Sequence, residues 1–464
     1  MATTLTPRTL GYEQAFNFAT ALGANASVVG YVTIGRHIAW ANDAAPPQVV
    51  DNDAAVADAY SFLLGGKIIT GADLFLVIPR ITWTTGVVYT EYDDTSVTLF
   101  NSTNSMYVIT ATNEVYQCID NANNVPSTVQ PSTAYVVNNG FSSPLGDGYV
   151  WKYLYKVPVN SKFLTTDWMP IPSDQNATYT GSANNAVDGA ISQVILVSGG
   201  TGYVANSTKV VVSGEGSSGN VTATVANGVI TALNLVNRGS GYHAGLNVYV
   251  TGVGTGANVR VIGSPYRGHG FNPARALGAN ACMISVQIGA TGDATEGGKI
   301  TTNNEFRQIS LVLRPHKYAS NVAVVSANAN VAFSFLTQIV VTSGAGYLAD
   351  ELVYQGSDSG ANATFTGYIT DLFSNAFNVT AIRGTVKVGS AIIGATSGTS
   401  RILVSSTPPD LDQGSGSMVY LENRLPITRS AGHAENVKLV VKFGLSLCYI
   451  NIISYLAMLA GLMI

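Results

Sequence analysis

The sequence predicts a mainly β protein, and three observations carry that expectation. Only 11% of its 464 residues are charged and 48 are Gly, while Val, Thr, Ser, Asn and Tyr are abundant, a mixture that favours pleated strands and tight turns over long surface helices. Several segments alternate apolar and polar residues with period two. A Gly-rich unit, ISQVILVSGGTGY at 191 to 203, recurs as ITALNLVNRGSGY at 230 to 242 and more loosely as LTQIVVTSGAGY at 336 to 347. The length suffices for at least one large core and permits two to four compact units.

Two stretches have helical spacing. Tyr12, Ala15, Phe16 and Ala19 share one helical face; Val56, Tyr60, Leu63 and Leu64 do so after Asp51 or Asp53 as cap, with Gly65 and Gly66 as the stop. Elsewhere the period is two. In YVWKYLYKV (149 to 157) it puts Trp151, Tyr153, Tyr155 and Val157 on one face, with Lys152 and Lys156 outward. In VKLVVKF (437 to 443), Val437, Leu439, Val441 and Phe443 point inward against Lys438 and Lys442, and FRQISLVL (306 to 313) groups Ile309, Leu311 and Leu313. Each G-x-G-Y unit reads as a strand, a turn and a further strand such as TKVVVSG or LNVYVTG, so a pair of units makes a small sheet or barrel. The resulting division is a core in three pieces, 1–180, 266–335 and 405–443, interrupted by β-rich insertions at 181–265 and 336–404 and followed by an apolar tail, 444–464.

Charge and cysteine usage narrow the function classes. A net charge of −4 with no Lys or Arg run leaves no electrostatic footprint for nucleic acid. Cys118, Cys282 and Cys448 are too dispersed for a disulfide framework or a C-x-x-C metal site, and read as buried apolar residues in a reducing cytoplasm. The N-terminus lacks the basic start and apolar stretch of a secretory signal. Phe443 to Ile464 carries no charge and, as a helix, has a reach of roughly 30 Å, near the thickness of a bilayer core. A membrane anchor, a read-through end and a docked terminal helix all fit that composition, with the anchor the least expected.

No catalytic, metal or cofactor-binding residue is assigned. Gly214, Gly216 and Gly219 spell a dinucleotide loop, yet the strand-like NVTATVANG follows where a phosphate-binding helix is needed. His37, His243, His269, His316 and His433 lack a second ligand at helical spacing. Asp410, Asp412 and Gly414 in PPDLDQG lack the terminal bidentate Glu of a calcium loop and read as a turn. There is no G-x-S-x-G elbow, and a glycosidase carboxylate pair is invisible without the fold. The Asn-x-Ser/Thr triplets at Asn206, Asn220 and Asn378 read as turn chemistry.

The strand segments, taken in order, also resemble a known family. YVTIGRHIAW (31 to 40), LFLVIPRITW (74 to 83), VYQCID (115 to 120), GDGYVWKYLYKVP (146 to 158), FRQISLVLRP (306 to 315), MVYLENRLPI (418 to 427) and VKLVVKF (437 to 443) resemble the baseplate wedge protein family of T-even-like contractile-tailed bacteriophages. The resemblance covers about 9 to 180, 266 to 335 and 405 to 443. It implies a layered β-sandwich with helical excursions, a homodimer, partnership with other baseplate wedge proteins, a place in the virion tail, and no catalytic residues or cofactor. Arg36, Arg80, Glu422 and Arg424 lie inside these motifs and are candidates for ion pairs, either between subunits or within one. The insertions and the tail depart from the family pattern. The insertions read as peripheral bulk or as a glycan contact, and an extracellular glycan-binding β-repeat protein is the alternative reading of the whole chain.

Overall fold

The protein is mainly β. The structure, a computed structural model, describes residues 7–444 except 24–27, 98, 101–104, 174–185, 290–299, 301, 326–328, 330, 431 and 433. The expectations for His433, Cys448 and the apolar tail therefore lie outside the described residues. Two compact units share the described residues: 7–16, 75–282 and 441–444 form the first, 17–74 and 283–440 the second.

After α1 (Pro7–Gly23), the chain passes through β1 (Gly30–Gly35), α2 (Asp53–Ser61) and β2 (Leu63–Ile68). Next come β3 (Leu74–Pro79), β4 (Tyr107–Ile109), β5 (Glu114–Asp120), β6 (Val150–Lys156) and β7 (Trp168–Pro170). The first insertion holds β8 (Ile191–Thr201), β9 (Lys209–Ser213), β10 (Ser217–Ala226), β11 (Val229–Ser240), β12 (Asn247–Thr251) and β13 (Thr255–Gly263), followed by α3 (Pro273–Ala276). Then β14 (Ala281–Ile288), β15 (Asn304–Leu313) and β16 (Ala332–Ser334) precede the second insertion. Its strands are β17 (Thr337–Val341), β18 (Leu352–Gly356), β19 (Ala363–Leu372), β20 (Ala376–Gly384), β21 (Ala391–Gly394) and β22 (Ser400–Thr407). The last strands are β23 (Ser417–Arg429) and β24 (Glu435–Lys442).

The second unit is organised by an antiparallel sheet in the order β16-β2-β1-β15-β23. β15 lies between two neighbours and is buried along nearly its whole length, which explains a sequence apolar on both faces toward its C-terminal end. Tyr31, Leu63, Val312, Phe333 and Phe335 pack on one side of this sheet. The helix expected to reach Leu64 ends at Ser61, capped at its start by the Asn52 side chain rather than by Asp51 or Asp53. Leu63, Leu64, Gly65 and Gly66 are strand, and the glycines serve close packing instead of a helix stop. A Cβ on Gly65 would lie 2.7 Å from Ile300 Cγ1, and one on Gly66 would lie 2.9 Å from Thr33 Cγ2.

In the first unit β4, β5 and β6 form a sheet over a core of Tyr89, Tyr116, Cys118, Tyr149 and Trp151. The alternation in β6 holds for Lys156, which is exposed, and fails for Lys152, which is fully buried. The reason is that its face is covered too: Phe141 pairs with Lys152, and the Arg238 guanidinium lies over the Phe141 ring. Asn220 and Asn378 sit in strands β10 and β20 rather than in turns; the Asn378 amide donates to Asp371.

Each insertion is built from two three-stranded repeats that exchange partners. In the first, the opening strand of each repeat pairs with the closing strand of the other, β8 with β13 and β11 with β10, while the middle strands β9 and β12 pair together. The second insertion repeats this scheme: β17 with β22, β20 with β19, and β18 with β21, closed into a six-stranded barrel. Neighbouring strands of the first insertion follow the same circular order, with β8 beside β11, β10 beside β9 and β12 beside β13. The motif tyrosines are the buried fillers at matching places: Tyr203 accepts from the Ala257 N–H, Tyr242 from the Gly219 N–H, and Tyr347 donates to the Ile392 carbonyl. β22 runs to Thr407, three residues past the boundary read from sequence.

Candidate functional site

Three of the family-like segments, remote in sequence, become adjacent strands of the second unit. YVTIGRHIAW supplies β1, FRQISLVLRP most of β15 and MVYLENRLPI most of β23. Past the end of β1, Arg36 takes a left-handed conformation (φ 56°). Its guanidinium lies 4.0 Å from the Trp40 ring centroid and 5.0 Å from that of Phe62, and it pairs with Asp58 on α2 at 3.0 Å. The spacing of Arg36 and Trp40 is thus a stacking requirement. From β15, buried Arg307 makes a two-pronged contact with Asp43 at 2.9 and 2.8 Å, meets Glu305 at 2.7 Å and donates to the His37 carbonyl. The hydrogen bond to Asp43 raises the Arg307 pKa further, and the same bond holds the Asp43 carboxyl below its ordinary value.

β23 completes the corner. Gln308 donates to Asn423 at 2.9 Å, Asn423 to the Pro47 carbonyl at 2.9 Å, and the Trp40 indole to the Arg424 carbonyl at 3.1 Å. Arg424 pairs with Glu422 at 2.9 Å. Between Pro46–Val49 and Tyr420–Asn423 runs an open groove of about 410 Å³. His37 is buried, 3.7 Å from Asp350; burial and the charges of Arg307 and Arg36 push its pKa down to about 3, so it is neutral at ordinary pH. This arrangement fixes geometry and presents a surface. Of the four charged residues singled out in the motifs, Arg36, Glu422 and Arg424 pair within the chain, and Arg80 donates to the Thr165 carbonyl.

The first unit assembles a constellation with no sequence signal. Ser192 Oγ on β8 lies 2.7 Å from His269 Nε2, and His269 Nδ1 lies 2.8 Å from the Gln117 amide oxygen on β5. An amide oxygen only accepts, so Nδ1 carries the proton and Nε2 faces the serine as an acceptor. This is the order of a nucleophile–base–orienter set, with glutamine as orienter. The three side chains are 1%, 2% and 0% exposed, so the hydroxyl cannot meet a substrate in this conformation. The three residues are remote in sequence and occupy no common motif, which is why spacing could not bring them together.

The remaining candidates resolve into structure. Gly216 precedes β10, and a Cβ there would lie 2.4 Å from the Tyr242 ring, so this glycine makes room for an aromatic side chain. His243 is exposed, 3.4 Å from Asp188. The His316 N–H donates to Ser415, and the Asp410 and Asp412 carboxylates accept from the Ser334 and Ala319 N–H groups. Among the described residues, Cys118 and Cys282 are buried, no group of acidic, His or Cys side chains has metal-holding geometry, and no helix is long and apolar enough to cross a membrane. No protein-family model matches the chain, and no curated protein does so either.

Proposed function

We propose that this chain is a structural, non-enzymatic subunit of a bacteriophage tail baseplate wedge, pairing with itself and with other wedge proteins in the virion. The observation that supports this reading best is the convergence of the segments at 31–40, 306–315 and 418–427 into neighbouring strands with one shared corner. Arg307, Asp43, Trp40 and Asn423 tie those strands together there. Residues selected for chemistry converge on a reachable cleft; these converge on a rigid corner beside an open groove, as suits a subunit that presents surfaces to neighbours. Its work in the wedge is to hold geometry and then take part in the rearrangement that triggers tail contraction.

The test is the light-scattering mass of the full chain, alone and mixed with the wedge proteins encoded beside it. A dimer that enters a larger complex supports the reading. A monomer that ignores those partners overturns it and leaves glycan binding by the β-repeat insertions, which a glycan array then measures.

A further inference from the structure

The root of the first insertion holds two buried basic side chains, Lys152 and His269, and a half-buried one, Arg238, around one ring. Arg238 of β11 lies over Phe141 with Cζ 3.7 Å from the ring centroid, and Lys152 Nζ of β6 is 4.7 Å from the same centroid. His269 meets that ring edge-on at 5.9 Å and the Tyr92 ring at 4.6 Å. Arg238 donates to the Ile191 and Ser192 carbonyls and Lys152 to the Asn139 carbonyl. The acids near this set are Asp120, which supports the Arg238 charge, and Glu91, whose carboxyl is pushed up by burial. Among the described residues no carboxylate pairs with His269 or Arg238.

We propose that this cluster is a pH-sensitive latch: neutral His269 holds β8, β11 and the 263–272 loop on core strands β5 and β6, and protonation of His269 releases the root of the first insertion. The hydrogen bonds accommodate either state. Ser192 Oγ lies 3.1 Å from the Gly263 carbonyl as well as 2.7 Å from Nε2. When Nε2 gains a proton it donates to Oγ, and the hydroxyl turns to donate to Gly263. What opposes the second proton is charge: burial first, then Lys152 and Arg238, hold His269 well below its ordinary value.

The sign follows from that depression. Above the ordinary histidine value, about 6.5, the imidazole is neutral whether the latch is closed or open. As pH falls below it only the open form takes up the proton, so the open fraction rises about tenfold per pH unit until the closed-state value is reached. Lys152, pushed down to about 7, acts in a different window: it favours the closed form increasingly as pH rises above 7 and adds no slope below it. His243, at the same root, faces Asp188 at 3.4 Å. In the outer clasp Asp94 accepts from the Gly263 N–H and Asp93 pairs with Arg260; burial opposes the Asp93 charge, while the bonds from Arg260 and Thr95 hold its carboxyl below the ordinary value.

Hydrogen exchange by mass spectrometry on the full chain tests this between pH 5 and 8, with rates corrected for intrinsic exchange. Opening of 187–200, 232–243 and 263–272 should rise about tenfold per unit below pH 6.5, while 337–407 stays level. His269→Gln keeps amide partners for Ser192 and Gln117 but cannot titrate, and should flatten the response. Gln117→Glu should flatten it from the other direction, by stabilising the imidazolium inside the closed latch. A pH-independent wild type, or an unchanged slope in His269→Gln, overturns the latch; because the wild-type slope is read without any substitution, poor folding of a variant leaves the question decidable.

Discussion

Arg429 ends β23 with no exposed surface, its guanidinium against the Glu435 carboxylate and the carbonyls of Gly289 and Ile300. Burial lowers its pKa while Glu435 works to restore it. Removing one partner leaves the other charge buried, so Arg429→Ala should cost about 3–5 kcal/mol in chemical denaturation, whereas Arg429→Met with Glu435→Leu should cost far less. A double variant as unstable as the single one would show that the cost is lost packing. Asp147 offers a second residue-scale prediction. Burial opposes its charge, yet the Val129, Thr128 and Tyr149 N–H groups and the Ser127 hydroxyl hold its carboxyl below the ordinary value. Its contribution is present above the unfolded carboxylate value, about 4, and is lost as pH falls through the folded one. Asp147→Asn should therefore lower the denaturation midpoint at pH 7 and leave it nearly unchanged at pH 2. Neither role was legible beforehand, because charge type is written in the sequence and burial is not; Lys152 looks like an outward lysine until Phe141 covers it.

At the scale of elements, the partner exchange within each insertion makes a prediction that composition alone does not. Gly216 and Gly254 hold equivalent places in the two repeats of the first insertion, each beside a motif tyrosine. An added Cβ would lie 2.4 Å from the Tyr242 ring in one case and 2.4 Å from the Tyr203 ring in the other. Gly216→Ala and Gly254→Ala should destabilise the insertion by similar amounts, about 1–3 kcal/mol each, read as lost exchange protection across 191–263. Strongly unequal costs would mean that the two halves do not share their load. The repeats themselves were legible, since Gly-x-Gly-Tyr marks a turn and a buried ring in every copy. Their exchange was not, because pairing a first strand with the other repeat's last is a long-range choice that local pattern leaves open. β2 was missed for a related reason: Val56, Tyr60, Leu63 and Leu64 fit a helical stripe, and only the close approach of Ile300 and Thr33 shows why Gly65 and Gly66 belong to a strand.

Over the whole molecule, local and remote contacts are sharply divided. The second insertion closes into a barrel from one continuous stretch, 337–407, and the first makes all its strand pairs within 191–263, with tight hairpins such as β10 to β11 through Asn227 and Gly228. The sheet that carries the family-like segments instead joins β1 and β2 to β15 and β23, with most of the chain and both insertions lying between Gly30 and Arg429. Closing longer loops costs more entropy, and non-local sheets fold more slowly, commonly on the order of milliseconds to seconds. The two insertions should therefore form first, the first shortening the effective loop that β1 and β15 must close and the second the loop between β15 and β23. In pulse-labelling hydrogen exchange during refolding, amides of β10, β11, β19 and β20 should gain protection before those of β1 and β15. Gly216→Ala, which acts inside the first insertion, should then slow its own protection and that of the sheet, because an unformed insertion leaves a longer flexible loop to close. Protection of β1 and β15 ahead of the insertions would reverse this order and identify the corner around Arg307 as the nucleus on which the insertions later fold.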